Sequence, residues 1–167
     1  MLIRILAAAM FTAAGCFAGM TFSDKLRSQQ KVCEVLIYLL QRVKFLVCYR
    51  CDDIYEVCRN LRADDELKVF SFVGRLPDSY GHSCDFRNIW ENEVRSENIP
   101  EKEMDILLQL GAVLGRSDRE SQSAAIDQLI TEAEALSVLR RENYIKKSGL
   151  YRSAGLLMGL MAGIIVI

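Results

Sequence analysis

Apolar positions recur every three or four residues along most of this chain and gather into two uncharged runs at its ends. The first run, Ile5 to Ser23, contains Leu6, Met10, Phe11, Phe17, Met20 and Phe22. As a helix it would be roughly 28 Å long, close to the ~30 Å hydrocarbon core of a bilayer. The second, Ser153 to Ile167, ends in Gly-Ile-Ile-Val-Ile and would reach only roughly 22 Å. Local bilayer thinning, or Tyr151 and Arg152 reaching back to the interface, would let it span. These patterns predict two transmembrane anchors, 1–23 and 153–167, framing a helical domain over 24–152.

Between the ends the periodicity is helical. From Asp24 neither Pro nor Gly occurs before Gly74. Val32, Leu36, Leu39, Val43 and Leu46 form one apolar stripe, widened by Cys33, Ile37, Leu40 and Val47. Asp52–Leu61 and Asp64–Val73 read as shorter helices, each opening with acids that suit a helix N-terminus. Pro77, Asp78, Ser79, Gly81 and Ser83 mark a loop over 76–84. Asp85–Glu97 is the next helix, with Phe86, Ile89, Trp90 and Val94 on one side; a lone Trp at that spacing belongs to a core. Pro100, Glu101 and Glu103 suit the first turn of another, whose apolar face is Met104, Leu107, Gly111 and Leu114. Ser117-Asp-Arg-Glu120 has the capping-box pattern, so a last helix starts there, with Ile126, Leu129, Ala133 and Leu136 as its seam. Strand signals are weak. The fold class expected is all-α: a membrane-anchored bundle of about five or six helices.

Small residues recur at helical spacing in both end runs: Gly15 and Gly19 in one, Gly155, Gly159 and Gly163 in the other. In lipid, such lines of glycine let two backbones approach closely. Lys and Arg bias sets the orientation. Arg4 precedes the first run while Lys25, Arg27 and Lys31 follow it; Arg140, Arg141, Lys146, Lys147 and Arg152 precede the second, and no charge follows. Both asymmetries put the central domain on the cytoplasmic side. Ala13-Ala14-Gly15-Cys16 is a weak match to a lipoprotein cleavage box, and the apolar run continues past Cys16, which favours an uncleaved anchor.

Composition adds little chemistry. The net charge of −1 over 167 residues gives no push toward nucleic acid. Six cysteines and one histidine are present. Cys48-x-x-Cys51, on neighbouring turns of one helix, with Cys58 and His82 further on, is the one arrangement that suggests zinc or redox chemistry. It lacks a second close pair, and a structural zinc site needs four placed ligands. His82 has no nucleophile set beside it in any motif, and no phosphate loop follows Gly111 or Gly115. The expectation is therefore a non-enzyme with no metal or cofactor. A helical thiol- or zinc-responsive sensor built on Cys48, Cys51 and Cys58 is the alternative.

Residues 108–122, Leu-Gln-Leu-Gly-Ala-Val-Leu-Gly-Arg-Ser-Asp-Arg-Glu-Ser-Gln, resemble the signature of the stage III sporulation protein AB family. Leu110, Gly111, Leu114, Gly115, Asp118, Arg119 and Gln122 fill its pattern of two Leu-Gly pairs, Asp-Arg and Gln. Tyr144, Lys147, Leu150, Tyr151, Arg152, Gly155, Leu156 and Gly159 match the family's C-terminal end. The resemblance covers roughly 104–167 and is thin elsewhere; Tyr49-Arg50-Cys51-Asp52-Asp53 departs from the family's Thr-Pro-Leu-like turn. It implies endospore formation, within a multi-protein complex of stage III sporulation proteins linking mother cell and forespore. The cytoplasmic domain would then be similar to the F-type platform domains of type II secretion machines. It would sit on the mother-cell side of the cell membrane and dock a hexameric secretion-type ATPase, with homo-oligomerisation left open. Gly111, Gly115, Asp118, Arg119 and Gln122 are the candidate site, serving either a helix crossing and its cap or a partner contact.

Overall fold

The computed structural model describes residues 2–77, 79, 85–114 and 119–166. Among them every regular element is helical: α1 (Leu2–Lys44), a π-helical turn (Phe45–Arg50), α2 (Ile54–Arg62), two 3-10 turns (Asp65–Val69 and Ser71–Arg75), α3 (Phe86–Arg95), α4 (Glu101–Val113) and α5 (Arg119–Val166). The chain divides into two units, one made of 1–30 and 138–167, the other of 31–137. Both long helices contribute to both.

The 31–137 unit holds one hydrophobic core. Cys33, Leu36, Leu39, Leu40, Val43 and Leu46 line the buried face of α1, and Ile126, Leu129, Ala133 and Leu136 that of α5. Two polar ties fix this pair: Cys33 Sγ donates to the Ala133 carbonyl at 3.5 Å, and Lys44 Nζ meets Asp127 Oδ1 at 2.5 Å. The latter bond holds the lysine's pKa above its ordinary value. Val57, Cys58, Leu61, Trp90, Val94, Ile106, Leu107 and Leu110 add the buried faces of α2 to α4. Each fully buried side chain of Leu or Ile size contributes about 1.5–3 kcal/mol over its exposed state.

Short acidic side chains start the small helices. Asp53 accepts from Tyr55 N, Asp64 from Glu66 N and Asp85 from Arg87 N, so each satisfies one of the donors left open at a helix start. Asp64 also accepts from the Tyr38 hydroxyl at 2.7 Å, which raises that phenol's pKa and ties α1 to the turn after α2. The segment 64–73 is not one helix as its pattern suggests. Phe70 takes an extended conformation (φ −97, ψ 98) and splits it into two 3-10 turns, with Phe70 and Phe72 both buried. Burying two aromatic rings outweighs continuing a short helix there.

Glu97 performs a longer-range cap. From just beyond α3 its carboxylate accepts from Ser71 N (3.3 Å), Ser71 Oγ (2.8 Å) and Phe72 N (2.9 Å), and Arg75 Nη2 lies 3.5 Å away. Arg75 also pairs with Glu93, whose hydrogen bond raises the guanidinium's pKa. The second 3-10 turn is thus held at its start by Glu97, just past α3, and at its end by Glu93 of α3.

In the unit of 1–30 and 138–167, α1 and α5 run antiparallel. Gln29 Oε1 accepts from Arg140 Nη1 at 3.4 Å, and the rings of Phe22 and Tyr151 stack with centroids 5.6 Å apart. Among the described residues no helix is both long and apolar enough to cross a membrane. The two spans expected at 1–23 and 153–167 are therefore not found there. Both segments are helical, but Thr12, Gly15, Gly19, Thr21 and Ser23 dilute the first, and the second is short for a bilayer core.

Candidate functional site: the α3–α4 junction and its motif

Of the motif residues, Gly111 lies in the last turn of α4, and Arg119 and Gln122 lie in the first turn of α5. Gly111 is buried on α4 and faces Trp90 of α3. A Cβ on Gly111 would stand 2.6 Å from the indole Nε1 and 2.7 Å from Cγ, with Cδ1 nearer still. Glycine is therefore required by close approach, since no real side chain fits that gap. The indole N–H donates to the Leu107 carbonyl, one turn earlier on α4, at 2.7 Å. Phe72 meets the Trp90 ring edge-on (5.4 Å between centroids, 79°), and Phe86 lies 5.8 Å away one turn earlier on α3. Trp90 thus joins α3, α4 and the second 3-10 turn through one buried, hydrogen-bonded ring, a geometry aromatic clusters favour.

Gln122 is buried on α5, and its Nε2 donates to the Val113 carbonyl at 3.4 Å. That bond links the first turns of α5 to the last turn of α4, where carbonyls lack helical partners. Gly115 and Asp118, with Ser117 of the capping pattern, lie outside the described residues. Arg119 opens α5, and its side chain lies outside the description. The structure thus gives Gly111 and Gln122 places in helix packing at this junction.

The other glycine set falls in the 1–30 and 138–167 unit. A Cβ on Gly155 would stand 2.5 Å from the Gly15 carbonyl oxygen and 3.1 Å from Gly19 Cα, so these three form one close crossing of α1 and α5. Gly159 and Gly163 lie further along α5, and their surroundings are outside the described residues.

The cysteines do not assemble as the sensor reading requires. Cys48 and Cys51 do not share one helix: the π-helical turn ends at Arg50, and Cys51 steps off in the left-handed region (φ 58). Such a conformation costs a non-glycine residue about 1–2 kcal/mol. It is held because the Leu46 carbonyl accepts from both Cys51 N and Asp52 N. Cys51 is exposed, Cys48 half-buried and Cys58 buried. Burial pushes the Cys58 thiol up to about 12, which keeps it protonated and a poor metal ligand at neutral pH. Among the described residues no group of three His, Cys, Asp or Glu side chains is placed to hold a metal ion. His82 and Cys84 lie outside them.

Reading from sequence missed the Trp90–Gly111 pairing and the Glu97 cap. Each joins residues more than twenty positions apart, and periodicity along one helix carries no signal of its partner.

Among the described residues these observations define an all-helical arrangement in which Gly111 and Gln122 serve the packing of a helix junction. The family model for stage III sporulation protein AB matches residues 4–167, essentially the whole chain. The chain belongs to that family of sporulation proteins. No curated protein and no solved structure matches it.

Proposed function

We propose that this chain is a non-enzymatic, membrane-attached platform in a secretion-like complex between mother cell and forespore. In this reading the 31–137 unit lies in the mother-cell cytoplasm and docks a secretion-type ATPase alongside other stage III sporulation proteins. The observation that carries it is the family match over residues 4–167. Membrane attachment draws support from the apolar side chains that the helix pair leaves exposed: Met10, Phe17, Met20 and Phe22 on α1, and Leu157, Met158 and Met161 on α5. A soluble surface rarely carries so many large apolar groups together, and lipid would cover them. Lys25, Arg27 and Lys31 after one run, with Lys146, Lys147 and Arg152 before the other, favour the cytoplasmic side for the residues between. The ATPase assignment rests on resemblance to secretion platforms, which is an analogy of fold class.

The test is crosslinking in sporulating cells, with photoreactive residues spread over the surface of the 31–137 unit and the attached proteins identified. Adducts with stage III sporulation proteins and with an ATPase are expected. Adducts confined to proteins made equally in vegetative cells would overturn the reading.

A further inference from the structure

Helices α3 and α4 leave a cleft of about 240 Å³ beside the Trp90–Gly111 contact. Its floor is apolar, formed by half-buried Leu108 and Ala112 with buried Trp90 and Gly111 behind them. Its rim carries Arg87, Glu91 and Gln109. Glu91 is occupied, since Arg95 one turn along α3 donates to it at 2.8 Å and 3.0 Å. Arg87 differs. It is exposed, and among the described residues no carboxylate pairs with its guanidinium, whereas Arg59, Arg75 and Arg95 each have one. Gln109, exposed across the cleft, likewise spends none of its side-chain amide on a described neighbour.

Size and charge narrow the occupant. Small-molecule sites usually enclose about 300–1,000 Å³, so this cleft suits a single anchoring side chain better than a free ligand. An apolar floor under a polar rim is the anatomy of a protein-binding anchor, and Arg is enriched in such places because its planar fork grips a carboxylate. One cation with Glu91 beside it is too little to track a phosphate backbone, which takes several.

We propose that the α3–α4 cleft docks a partner-protein segment that presents a large apolar side chain next to a carboxylate. The apolar group enters over Leu108 and Ala112, and the carboxylate pairs with Arg87 within reach of the Gln109 amide. This inference rests on the platform reading and names the chemistry of one of its partners.

The experiment places a photoreactive residue at position 109 of the full-length chain and irradiates sporulating cells. The expected adduct joins position 109 to a segment of a different protein in which an apolar residue adjoins Asp or Glu. Arg87→Glu should lower that adduct's yield by about tenfold, the size of effect like charges produce at an interface rim. Lys102→Glu, at an exposed position of α4 outside the cleft, should leave it within about twofold. Changing the partner's carboxylate residue to Arg should restore the adduct with the Arg87→Glu chain. An adduct indifferent to Arg87→Glu, or one with a second copy of this chain, overturns the proposal. So does no adduct at 109 while other surface positions still capture sporulation proteins, and in that case the platform reading stands. Loss of adducts at every position removes the platform reading itself.

Discussion

Gly111 and Trp90 meet so closely that the indole occupies the space where any other residue at 111 would begin. Two effects oppose each other in Gly111→Ala. Alanine favours the helix by about 1 kcal/mol over glycine. Against that, a Cβ 2.6 Å from the indole nitrogen forces the ring away and stretches its 2.7 Å bond to the Leu107 carbonyl. Overpacking typically costs about 1–3 kcal/mol, and a buried donor left unpaired costs about as much again.

Gly111→Ala should therefore destabilise the protein despite its better helix propensity, and Gly111→Leu should do so by about 3 kcal/mol. Urea unfolding followed by Trp90 fluorescence, the only tryptophan, reads both the midpoint and the ring's environment. An unchanged midpoint for Gly111→Leu would mean that the indole can move freely, and the close crossing would not be a constraint.

Glu97 offers a second test, on a hydrogen-bonded cap. Its carboxylate is mostly shielded and takes three donors from Ser71 and Phe72. Hydrogen bonds to a charged acceptor are worth about 1.5–3 kcal/mol, so Glu97→Ala should cost about 2 kcal/mol, and Glu97→Gln, which keeps one acceptor oxygen, about half. Limited trypsin digestion should show faster cleavage after Arg75 in Glu97→Ala. Equal cleavage rates would show that the turn holds without its cap.

How far the sequence foretold this arrangement depends on the range of each interaction. Asp53, Asp64 and Asp85 begin their helices as short acidic residues do, because the capping bond closes within three positions. The seam of Ile126, Leu129, Ala133 and Leu136 is buried, since burial follows the helical period. The end of α1 was not legible in the same way. No Gly or Asn stands where the chain turns left-handed, and Cys51 adopts that conformation under the two donors to Leu46. Of the candidate site, Gly111 was recognisable as a close-packing residue, but not the ring it packs against.

The glycine crossing in the 1–30 and 138–167 unit predicts a loss of helix pairing on enlargement. Gly155→Leu would drive a side chain into the Gly15 carbonyl and the Gly19 backbone, neither of which can yield without moving the helix. Cysteines placed at Phe22 and Tyr151, whose rings stack in the native protein, should be joined by a short bis-maleimide in the parent chain. Gly155→Leu should reduce that crosslink severalfold, because a side chain forced against the Gly15 and Gly19 backbone pushes the two helices apart. Crosslinking undiminished by Gly155→Leu would place the crossing elsewhere.

Cys58 should make stability depend on alkaline pH. Its folded pKa is raised to about 12 by burial, against an ordinary value near 9. Below pH 9 the thiol is protonated in both states and the contribution is fully present. Above pH 9 the unfolded thiol releases its proton while the folded one keeps it, so stability falls as pH rises toward 12. Cys58→Ala should flatten that part of the profile relative to the parent chain. A parent and variant with parallel profiles between pH 9 and 11 would show that the buried thiol does not carry the effect.

The exposed and buried cysteines also supply a test of sidedness. Cys33 is fully buried and Cys58 nearly so, so neither would react with an impermeant maleimide whichever side of a membrane it faced. Silence at those positions carries no topological meaning. Cys51 is exposed, and its thiol stands on the surface of the 31–137 unit. With Lys and Arg biased toward the inner flanks of both apolar runs, that unit should lie inside the cell. Cys51 should therefore stay unlabelled in intact cells and react promptly once the membrane is permeabilised. In a chain whose Cys16 and Cys84 are already replaced by serine, Cys51→Ser should drop the permeabilised signal to the slower reaction of half-buried Cys48. Rapid labelling of Cys51 in intact cells would reverse the orientation, and with it the reading of this unit as a cytoplasmic docking platform.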